Sequence, residues 1–372
     1  MALSFTDENS LFNFVVKEGN GVKGLVHSGI TEVPPRFIQP PNHRFNNIKQ
    51  QSSPPSETTT IDLSELDGPN HDQVIKAIAH AAETLGFFQV VNHGVPLELL
   101  DSLKTAGHRF FNQPAEKKAT YLDGVPIVKY ATSFIPEKEK NGMWRDFLKM
   151  TYTNDLDALK FWPNEFKEMV LEYIKTSTAM VNRLLRALIG DLGVKLDDSK
   201  LNTLIGVRTV HMIFYPICPD PDLTVDVKRH SDMGTLTVLL QDDVGGLYVK
   251  KGENLSDGNE EWGIQGYPWQ HSKTASAPTK GALVINVGDM LQILSNGRYK
   301  SAEHVVRTTS SASRVSIPIF NAPVPVAKIG PFPAVVARDG VARFKEVTYK
   351  EYMTNISEKP HGGKMALQFE ST

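Results

Sequence analysis

Six short apolar runs between residues 209 and 320 constrain the fold of this chain more than any other feature. They lie at residues 209–215, 236–240, 247–249, 282–287, 305–307 and 314–320, and turn-forming residues separate them. Runs of this length, rich in β-branched and aromatic residues, are typical of strands, and their close spacing favours antiparallel pairing. The pattern predicts a Greek-key β barrel in this half of the chain.

The preceding half mixes helical and strand patterns. Residues 73–84 and 96–112 carry apolar side chains at helical spacing, and the apolar run 86–91 between them predicts a buried strand. A longer helical pattern covers residues 164–193 and would buttress a sheet. The sequence therefore predicts an α+β fold in which helices flank the barrel and the N-terminal region is helical.

Composition divides the chain into regions. The stretch 50–60, rich in Gln, Ser, Thr and Pro, predicts an exposed linker. Residues 21–24 predict a turn, and the polar, glycine-containing insert 250–276 predicts a loose surface loop in its middle. The predicted regions are an N-terminal extension with its linker, a mixed helical region, the β-rich core and a helical tail, at residues 1–60, 61–200, 201–325 and 326–372.

Charge and cysteine content exclude several classes of function. The 40 Lys and Arg and 42 Asp and Glu give a net charge of −2, so no overall positive field favours nucleic acid. Cys218 is the only cysteine, which excludes an intrachain disulfide and a thiolate metal site. No targeting pattern and no membrane-spanning apolar stretch are found. We expect a cytoplasmic monomer that acts on a small molecule and does not insert into a membrane.

Three residues suggest a metal site. His230 and Asp232 stand two positions apart, and in a strand this spacing puts both side chains on one face. His304 lies much further along the chain, at the start of another apolar run. Two imidazoles and one carboxylate are the ligand set that binds non-haem Fe(II) and leaves coordination positions open. The three residues are predicted to bind the metal and to form the catalytic centre.

Arg314 and Ser316 form a second pair with the same spacing. A guanidinium gives a carboxylate bidentate, charge-assisted hydrogen bonds, which a Lys side chain cannot do, and a hydroxyl adds another donor. An open metal site beside such a clamp suits a 2-oxo dicarboxylic acid, because one end can chelate the metal while the clamp holds the other.

These motifs resemble those of the plant Fe(II)- and 2-oxoglutarate-dependent dioxygenases. The resemblance rests on His-x-Asp, the distant His304 and Arg-x-Ser, together with Asn-His-Gly at 92–94, Tyr-Pro-x-Cys-Pro at 215–219 and Gly-Gly-Leu at 245–247. It implies a double-stranded β-helix, which is the jelly-roll form of the barrel. It also implies an enzyme that uses Fe(II), 2-oxoglutarate and O₂, with ascorbate as the reductant.

The resemblance assigns further roles. Tyr215 would join Arg314 and Ser316 in binding 2-oxoglutarate. Aromatic residues of two segments, 130–134 and 143–148, would line the substrate mouth by the same resemblance, namely Phe134, Trp144 and Phe147; ordinary core packing is the alternative for all three.

His211 and Ile213 share a strand face with Tyr215 by alternation and should face the open side of the iron. Phe320, at the end of the last apolar run, is a further candidate for substrate contact. Relatives with an Asn-x-Tyr-Pro pattern have Asn where this chain has Ile213, so an aliphatic contact replaces a polar one. Two interpretations of His211 stay open: it replaces the lost hydrogen-bond donor, or it is a structural histidine whose hydrogen bonds are satisfied within the fold.

Segments 11–24, 83–94 and 229–234, the last together with 239–242, resemble the feruloyl-CoA ortho-hydroxylase and scopoletin 8-hydroxylase subfamily. That resemblance implies hydroxylation of a plant specialised metabolite of the phenylpropanoid or coumarin type. Ile213 leaves open a steroidal or other alicyclic substrate. Two other classes also stay open: an ascorbate-dependent oxidase, and a barrel that binds a ligand without turning it over.

Overall fold

The structure is a computed structural model that describes residues 5, 7–41, 44, 59–122, 125–134, 141–225, 227–254, 259–265 and 280–358. The α-helices are α1 Glu8–Phe12, α2 Gly21–His27, α3 His71–Thr84, α4 Leu97–Phe111, α5 Ala115–Ala119, α6 Asp155–Phe161, α7 Lys167–Asp191, α8 Asp198–Leu204, α9 Asp289–Leu294, α10 Pro333–Asp339 and α11 Tyr349–Glu358. Across these described ranges, no helix is both long and apolar enough to cross a membrane.

The strands are β1 Thr60–Asp62, β2 Phe87–Val91, β3 Val128–Thr132, β4 Asp146–Tyr152, β5 Val207–Tyr215, β6 Val227–His230, β7 Leu236–Gln241, β8 Leu247–Asn254, β9 Asn259–Gln265, β10 Leu283–Val287, β11 His304–Val306, β12 Arg314–Ala322, β13 Lys328–Ile329 and β14 Val347–Thr348. Short 3₁₀ helices occur at Pro35–Phe37 and Ser64–Asp67, and a π-helical segment at Asn13–Lys17.

Two sheets dominate the fold. The larger has eight strands in the order β1-β2-β10-β7-β12-β5-β4-β3, and the smaller has four in the order β6-β11-β8-β9. In the larger sheet β1 pairs with β2 in parallel, and the other pairs are antiparallel. Helices α4 and α7 pack against the larger sheet. The α+β class predicted from the sequence is confirmed.

Strand alternation separates the packed core from the functional face. In β5, Val210, Met212 and Phe214 are buried in the main core that the sheet shares with the helices. Ile213 and Tyr215, which alternate with them, belong to a smaller cluster on the opposite face. Because successive side chains of a strand point to opposite faces, one strand serves both the core and the site. Burying each of these core side chains contributes about 1.5–3 kcal/mol.

The expectation of a loose loop in the middle of the insert 250–276 is wrong for Asn259–Gln265, which form strand β9. Strand β8 continues to Asn254 and pairs with β9. The polar, glycine-containing composition hid this hairpin, since backbone pairing does not require apolar side chains. Residues 255–258 and 266–276 lie outside the described residues, as does the predicted linker up to residue 58.

The N-terminal segment packs over the larger sheet through an aromatic cluster. Phe37 lies edge-on to Trp144 at 5.1 Å between ring centroids and stacks on Phe134 at 5.9 Å. All three rings are buried, together with Leu11 and Val15. The expectation that Phe134 and Trp144 line the substrate mouth is therefore corrected, because these rings fill the space beneath the N-terminal segment.

Residues 21–24, predicted as a turn, are the first residues of helix α2. The carboxylate of Asp146 on β4 is fully buried and accepts the backbone N–H groups of Val22 at 2.8 Å and Lys23 at 2.9 Å. These are the free amides at the start of the helix, where a negative charge is stabilised. Burial raises the pKa of Asp146 to about 6, against the lowering effect of these bonds and of the Lys118 cation. Local sequence contains no sign of this distant partner.

Gly21 tests the Asp146 contact. Its φ of 72° is left-handed, and an added Cβ would lie 2.5 and 2.6 Å from the two carboxylate oxygens of Asp146. Gly29→Ala is the matched control, since its φ is 81° and nothing lies within 4 Å of the added Cβ. We expect Gly21→Ala to lower the free energy of unfolding by about 3 kcal/mol and Gly29→Ala by about 1 kcal/mol in denaturant titrations. Equal losses would show that the Asp146 contact does not fix the N-terminal segment.

Candidate active site

Strand pairing in the smaller sheet brings the three predicted metal ligands together. His304, the first residue of β11, pairs directly with His230, the last residue of β6. Asp232 lies in the turn after β6, so the strand geometry expected for it is wrong, although the turn returns its side chain to the histidines. The Nε2 atoms of His230 and His304 each lie 3.7 Å from Asp232 Oδ1, and the three ligand atoms lie within 4.8 Å of one another.

Hydrogen bonds orient each of these side chains. Thr237 Oγ1 and Asn286 Nδ2 both donate to Asp232 Oδ2, at 2.6 and 2.5 Å, which leaves Oδ1 facing the histidines. His230 Nδ1 lies 2.7 Å from the Lys228 carbonyl oxygen, and His304 Nδ1 lies 3.3 Å from the Ala302 carbonyl oxygen. A backbone carbonyl accepts the Nδ1–H proton, so Nε2 carries the lone pair that can bind a metal.

The charge state of the cluster also fits a cation. Burial, with His304 as a close neighbour, lowers the pKa of His230 to about 3, so its imidazole is neutral at physiological pH. The ring of Phe87 packs edge-on against His304 at 5.2 Å between centroids, which limits the rotation of that imidazole. Two imidazoles and one carboxylate with a free oxygen form a donor set suited to Fe(II).

Arg314, Tyr215 and Ser316 lie together on strands β12 and β5. Arg314 is paired across the strands with Tyr215, its guanidinium lies 4.8 Å from the Tyr215 ring centroid, and the Tyr215 hydroxyl is 3.3 Å from Ser316 Oγ. Arg314 Nη2 donates to Gln241 Oε1 at 2.8 Å. Nε and Nη1 of Arg314 are buried, and neither has a hydrogen-bond partner in the described parts of the chain. A buried cation with unused donors requires an anionic acceptor, and a carboxylate fits.

One cavity of about 720 Å³ joins the two groups. The three-residue cluster and Tyr215, Arg314 and Ser316 all line it, and so do His211, Ile213 and Phe320. Phe147 packs beside this wall, because it pairs directly with Ile213 and its ring stacks on the His211 ring at 5.7 Å between centroids. The structure thus brings ten of the twelve predicted site residues together, and Phe134 and Trp144 lie elsewhere.

Sequence reasoning missed two parts of the cavity wall. Helix α11 contributes Tyr349, Tyr352 and Ile356, and the Tyr352 hydroxyl donates to Asp289 Oδ2 at 2.6 Å. Their helical spacing of three and four residues was a visible signal of one buried face. The segment of strand β4 contributes Lys149 and, one residue before the strand, Arg145; both share a face with Phe147 by alternation.

Comparisons with known proteins identify the family. Residues 206–323 match the 2OG-Fe(II) oxygenase superfamily, and residues 59–166 match the family described as non-haem dioxygenase in morphine synthesis N-terminal. The chain belongs to the 2OG-Fe(II) oxygenase superfamily and is a 2-oxoglutarate-dependent dioxygenase that uses Fe(II). The predictions of enzyme class, iron and 2-oxoglutarate are confirmed.

Comparison with individual relatives shows which members of the superfamily the chain resembles. The chain is 52% identical to scopoletin 8-hydroxylase of Arabidopsis thaliana, over 99% of both chains. It is 43% identical to a bifunctional coumaroyl-CoA and feruloyl-CoA ortho-hydroxylase of Ipomoea batatas, over 96% of this chain and 95% of the relative. The crystal structure of JOX2 in complex with 2OG, Fe and JA has a TM-score of 0.78 at 30% identity, over 94% of this chain and 97% of that chain. The predicted subfamily resemblance is confirmed.

Thr237 tests how the Asp232 carboxylate is oriented. Thr237→Val keeps the shape of the side chain and removes the donor to Oδ2, so we expect Fe(II) affinity to fall about ten- to hundredfold in anaerobic equilibrium dialysis. Thr235→Val is the matched control, because the Thr235 hydroxyl donates to the Leu204 carbonyl at 2.6 Å and not to Asp232. Affinity that is unchanged in Thr237→Val, or that falls equally in both variants, would contradict this role of the hydroxyl.

Proposed function

We propose that this chain hydroxylates a phenylpropanoid-derived substrate of the coumarin type. The observation that carries the proposal is the single cavity that joins a His, Asp and His cluster, a buried Arg with free donors and an aromatic wall. The names of the relatives support this choice, since they are hydroxylases of scopoletin and of coumaroyl-CoA and feruloyl-CoA. Flat aromatic substrates suit a wall formed by Ile213, Phe320 and the imidazole of His211.

His230, Asp232 and His304 would hold Fe(II), and the free Asp232 oxygen and the two Nε2 atoms fit that ion. When bound, Fe(II) supplies the redox chemistry by which O₂ is consumed and 2-oxoglutarate is decarboxylated to succinate. Ascorbate would keep the iron reduced. Thr237 and Asn286 act through Asp232 by fixing the direction of its carboxylate.

The remaining wall residues position the reactants. Arg314, Ser316 and Tyr215 would bind the distal carboxylate of 2-oxoglutarate, because the Arg314 donors without protein partners are buried beside the two hydroxyls. Ile213, Leu239 and Leu247 line the cavity with apolar surface and restrict water around the reacting groups. Helix α11 covers one side of the cavity through Tyr349 and Ile356.

Three wider features belong to the same proposal. The two sheets would close as a jelly-roll barrel around the cavity, with the metal ligands on the smaller sheet and the 2-oxoglutarate clamp on the larger. The proposed protein is a monomer, in which one chain supplies every residue of the site. A cytoplasmic location would suit a chain whose one cysteine, Cys218, is a buried thiol.

A turnover assay tests the reaction. The purified chain is incubated with Fe(II), 2-oxoglutarate, ascorbate and a panel of coumarins and cinnamoyl-CoA esters, and products are analysed by mass spectrometry. We expect one added oxygen atom in the product and an equal amount of succinate. Product without succinate would indicate an ascorbate-dependent oxidase. Absence of any hydroxylated coumarin or phenylpropanoid would contradict the proposed substrate class.

Arg314→Lys tests the clamp. The substitution keeps the charge but loses the guanidinium fork, so binding of 2-oxoglutarate should weaken by ~1.5–3 kcal/mol, or roughly one to two decades in Kd. Arg208→Lys is the matched control, because the Arg208 guanidinium also lies over a tyrosine ring, that of Tyr152 at 4.7 Å, outside the cavity. Calorimetric titration should show the loss in Arg314→Lys alone. If coumarin affinity fell by the same factor in that variant, Arg314 would be holding the substrate or the fold instead.

A further inference from the structure

Three basic side chains form a row across the edge of the larger sheet. Lys129 on β3 pairs directly with Lys149 on β4, and Lys149 pairs directly with His211 on β5. Lys149 and His211 line the cavity, and Lys129 lies one strand further out. Neither lysine has an acidic partner among the residues described here. Like charges directly opposite each other destabilise a sheet, and an anionic ligand beside Lys149 in the cavity would offset the repulsion between Lys149 and Lys129.

Arg145 adds a second cation to the cavity wall. It precedes β4 by one residue and lines the cavity, as Lys149 does. Its guanidinium lies 5.6 Å from the Phe147 ring centroid, and its Nε donates to Ser133 Oγ at 3.3 Å. The Phe147 ring in turn stacks on His211. Lys149 thus lies directly opposite His211, and Arg145 contacts the Phe147 ring that stacks on the imidazole.

His211 is fixed in orientation but has unused hydrogen-bonding capacity. Phe147 stacks on one side of its ring, and Phe320 lies edge-on at 5.1 Å between centroids. Neither ring nitrogen bonds to any residue in the described ranges. The charged groups that face the His211 imidazole are Arg145, one residue before β4, Lys149 on β4 and Asp232 in the turn after β6. Burial and the two cations lower the pKa of His211 to about 3, so the imidazole is neutral at physiological pH.

We propose that His211, Lys149 and Arg145 form a recognition site for an acidic phenol of the substrate, which binds there as its phenolate. The imidazole donates a hydrogen bond to the phenolate oxygen, and the two cations stabilise its negative charge. This inference rests on the proposed function, and it specifies which coumarin-type substrates the cavity prefers. The site is separate from the 2-oxoglutarate clamp, since His211 lies four residues before Tyr215 on β5.

Phosphate groups of a CoA thioester are the other oxyanions that these cations suit. The position of His211 favours the phenolate, because the imidazole is half-buried inside the cavity beside Ile213 and Phe320. Lys129, the most peripheral member of the row, does not line the cavity. A phenolate inside the cavity would not contact Lys129, whereas the phosphate groups of CoA, which extend beyond the cavity, would. The effect of Lys129→Gln therefore distinguishes the two anions.

The probe is 7-hydroxycoumarin, whose phenol and phenolate have different absorption spectra. It is titrated into the protein loaded with Fe(II) and 2-oxoglutarate under argon, so that binding is measured without turnover. In the wild type we expect the apparent pKa of the bound phenol to be lower than that of the free phenol. Lys149→Gln and Arg145→Gln should each reduce the bound phenolate-to-phenol ratio about fivefold. Lys129→Gln, the matched control, should behave as the wild type.

Several results would overturn the proposal. One is that 7-hydroxycoumarin does not bind, or that its bound form titrates with the same apparent pKa as the free phenol. Another is that 7-methoxycoumarin, which cannot ionise, binds with the same affinity. A third is that Lys149→Gln has the same bound phenolate-to-phenol ratio as the wild type. CoA could instead displace 7-hydroxycoumarin from the wild type. If that displacement were weaker in both Lys149→Gln and Lys129→Gln, the cations would bind the phosphate groups of CoA and not a phenolate. Failure of the proposed function looks different, because the phenolate spectrum would persist while no coumarin or phenylpropanoid was hydroxylated.

Discussion

The carboxylate of Asp232 is buried at the junction of the two sheets, and the rest of the site depends on how it is held. A buried carboxylate is costly unless it is hydrogen-bonded or bound to a cation. Thr237 and Asn286, from two adjacent strands of the larger sheet, satisfy one oxygen, and the histidines of the smaller sheet surround the other. The metal site is thus also a connection between the sheets, so metal binding and sheet packing should support each other.

The same sheet register organises the substrate side of the cavity. On β5, alternate residues place Tyr215 beside the clamp, Ile213 in the middle and His211 at the far end. The helices of the main core fix the opposite face of this strand through Val210 and Met212. A shift of one residue would exchange the two sets of side chains, so the core that stabilises the fold also fixes which side chains of β5 face the cavity.

Local pattern predicted the strands of the β-rich half and the residues that share a strand face. It did so because alternation is a property of neighbouring residues, and His211, Ile213 and Tyr215 illustrate it. Contacts between segments that are far apart in the sequence could not be predicted from local pattern. The turn position of Asp232, the burial of Trp144 beneath the N-terminal segment and the start of α2 at Gly21 each depend on a partner far along the chain.

In the proposed site, Fe(II) and Arg314 bind the same 2-oxoglutarate molecule at its two ends. Calorimetric titration of 2-oxoglutarate under argon, with and without Fe(II), tests it directly in the wild type and in Asp232→Ala. If the ligand binds both partners, Fe(II) will strengthen its binding to the wild type, and Asp232→Ala with Fe(II) will show only the weak affinity of the metal-free wild type. If 2-oxoglutarate bound the wild type equally well with and without Fe(II), or bound Asp232→Ala as tightly as the iron-loaded wild type, joint binding by Fe(II) and Arg314 would be contradicted.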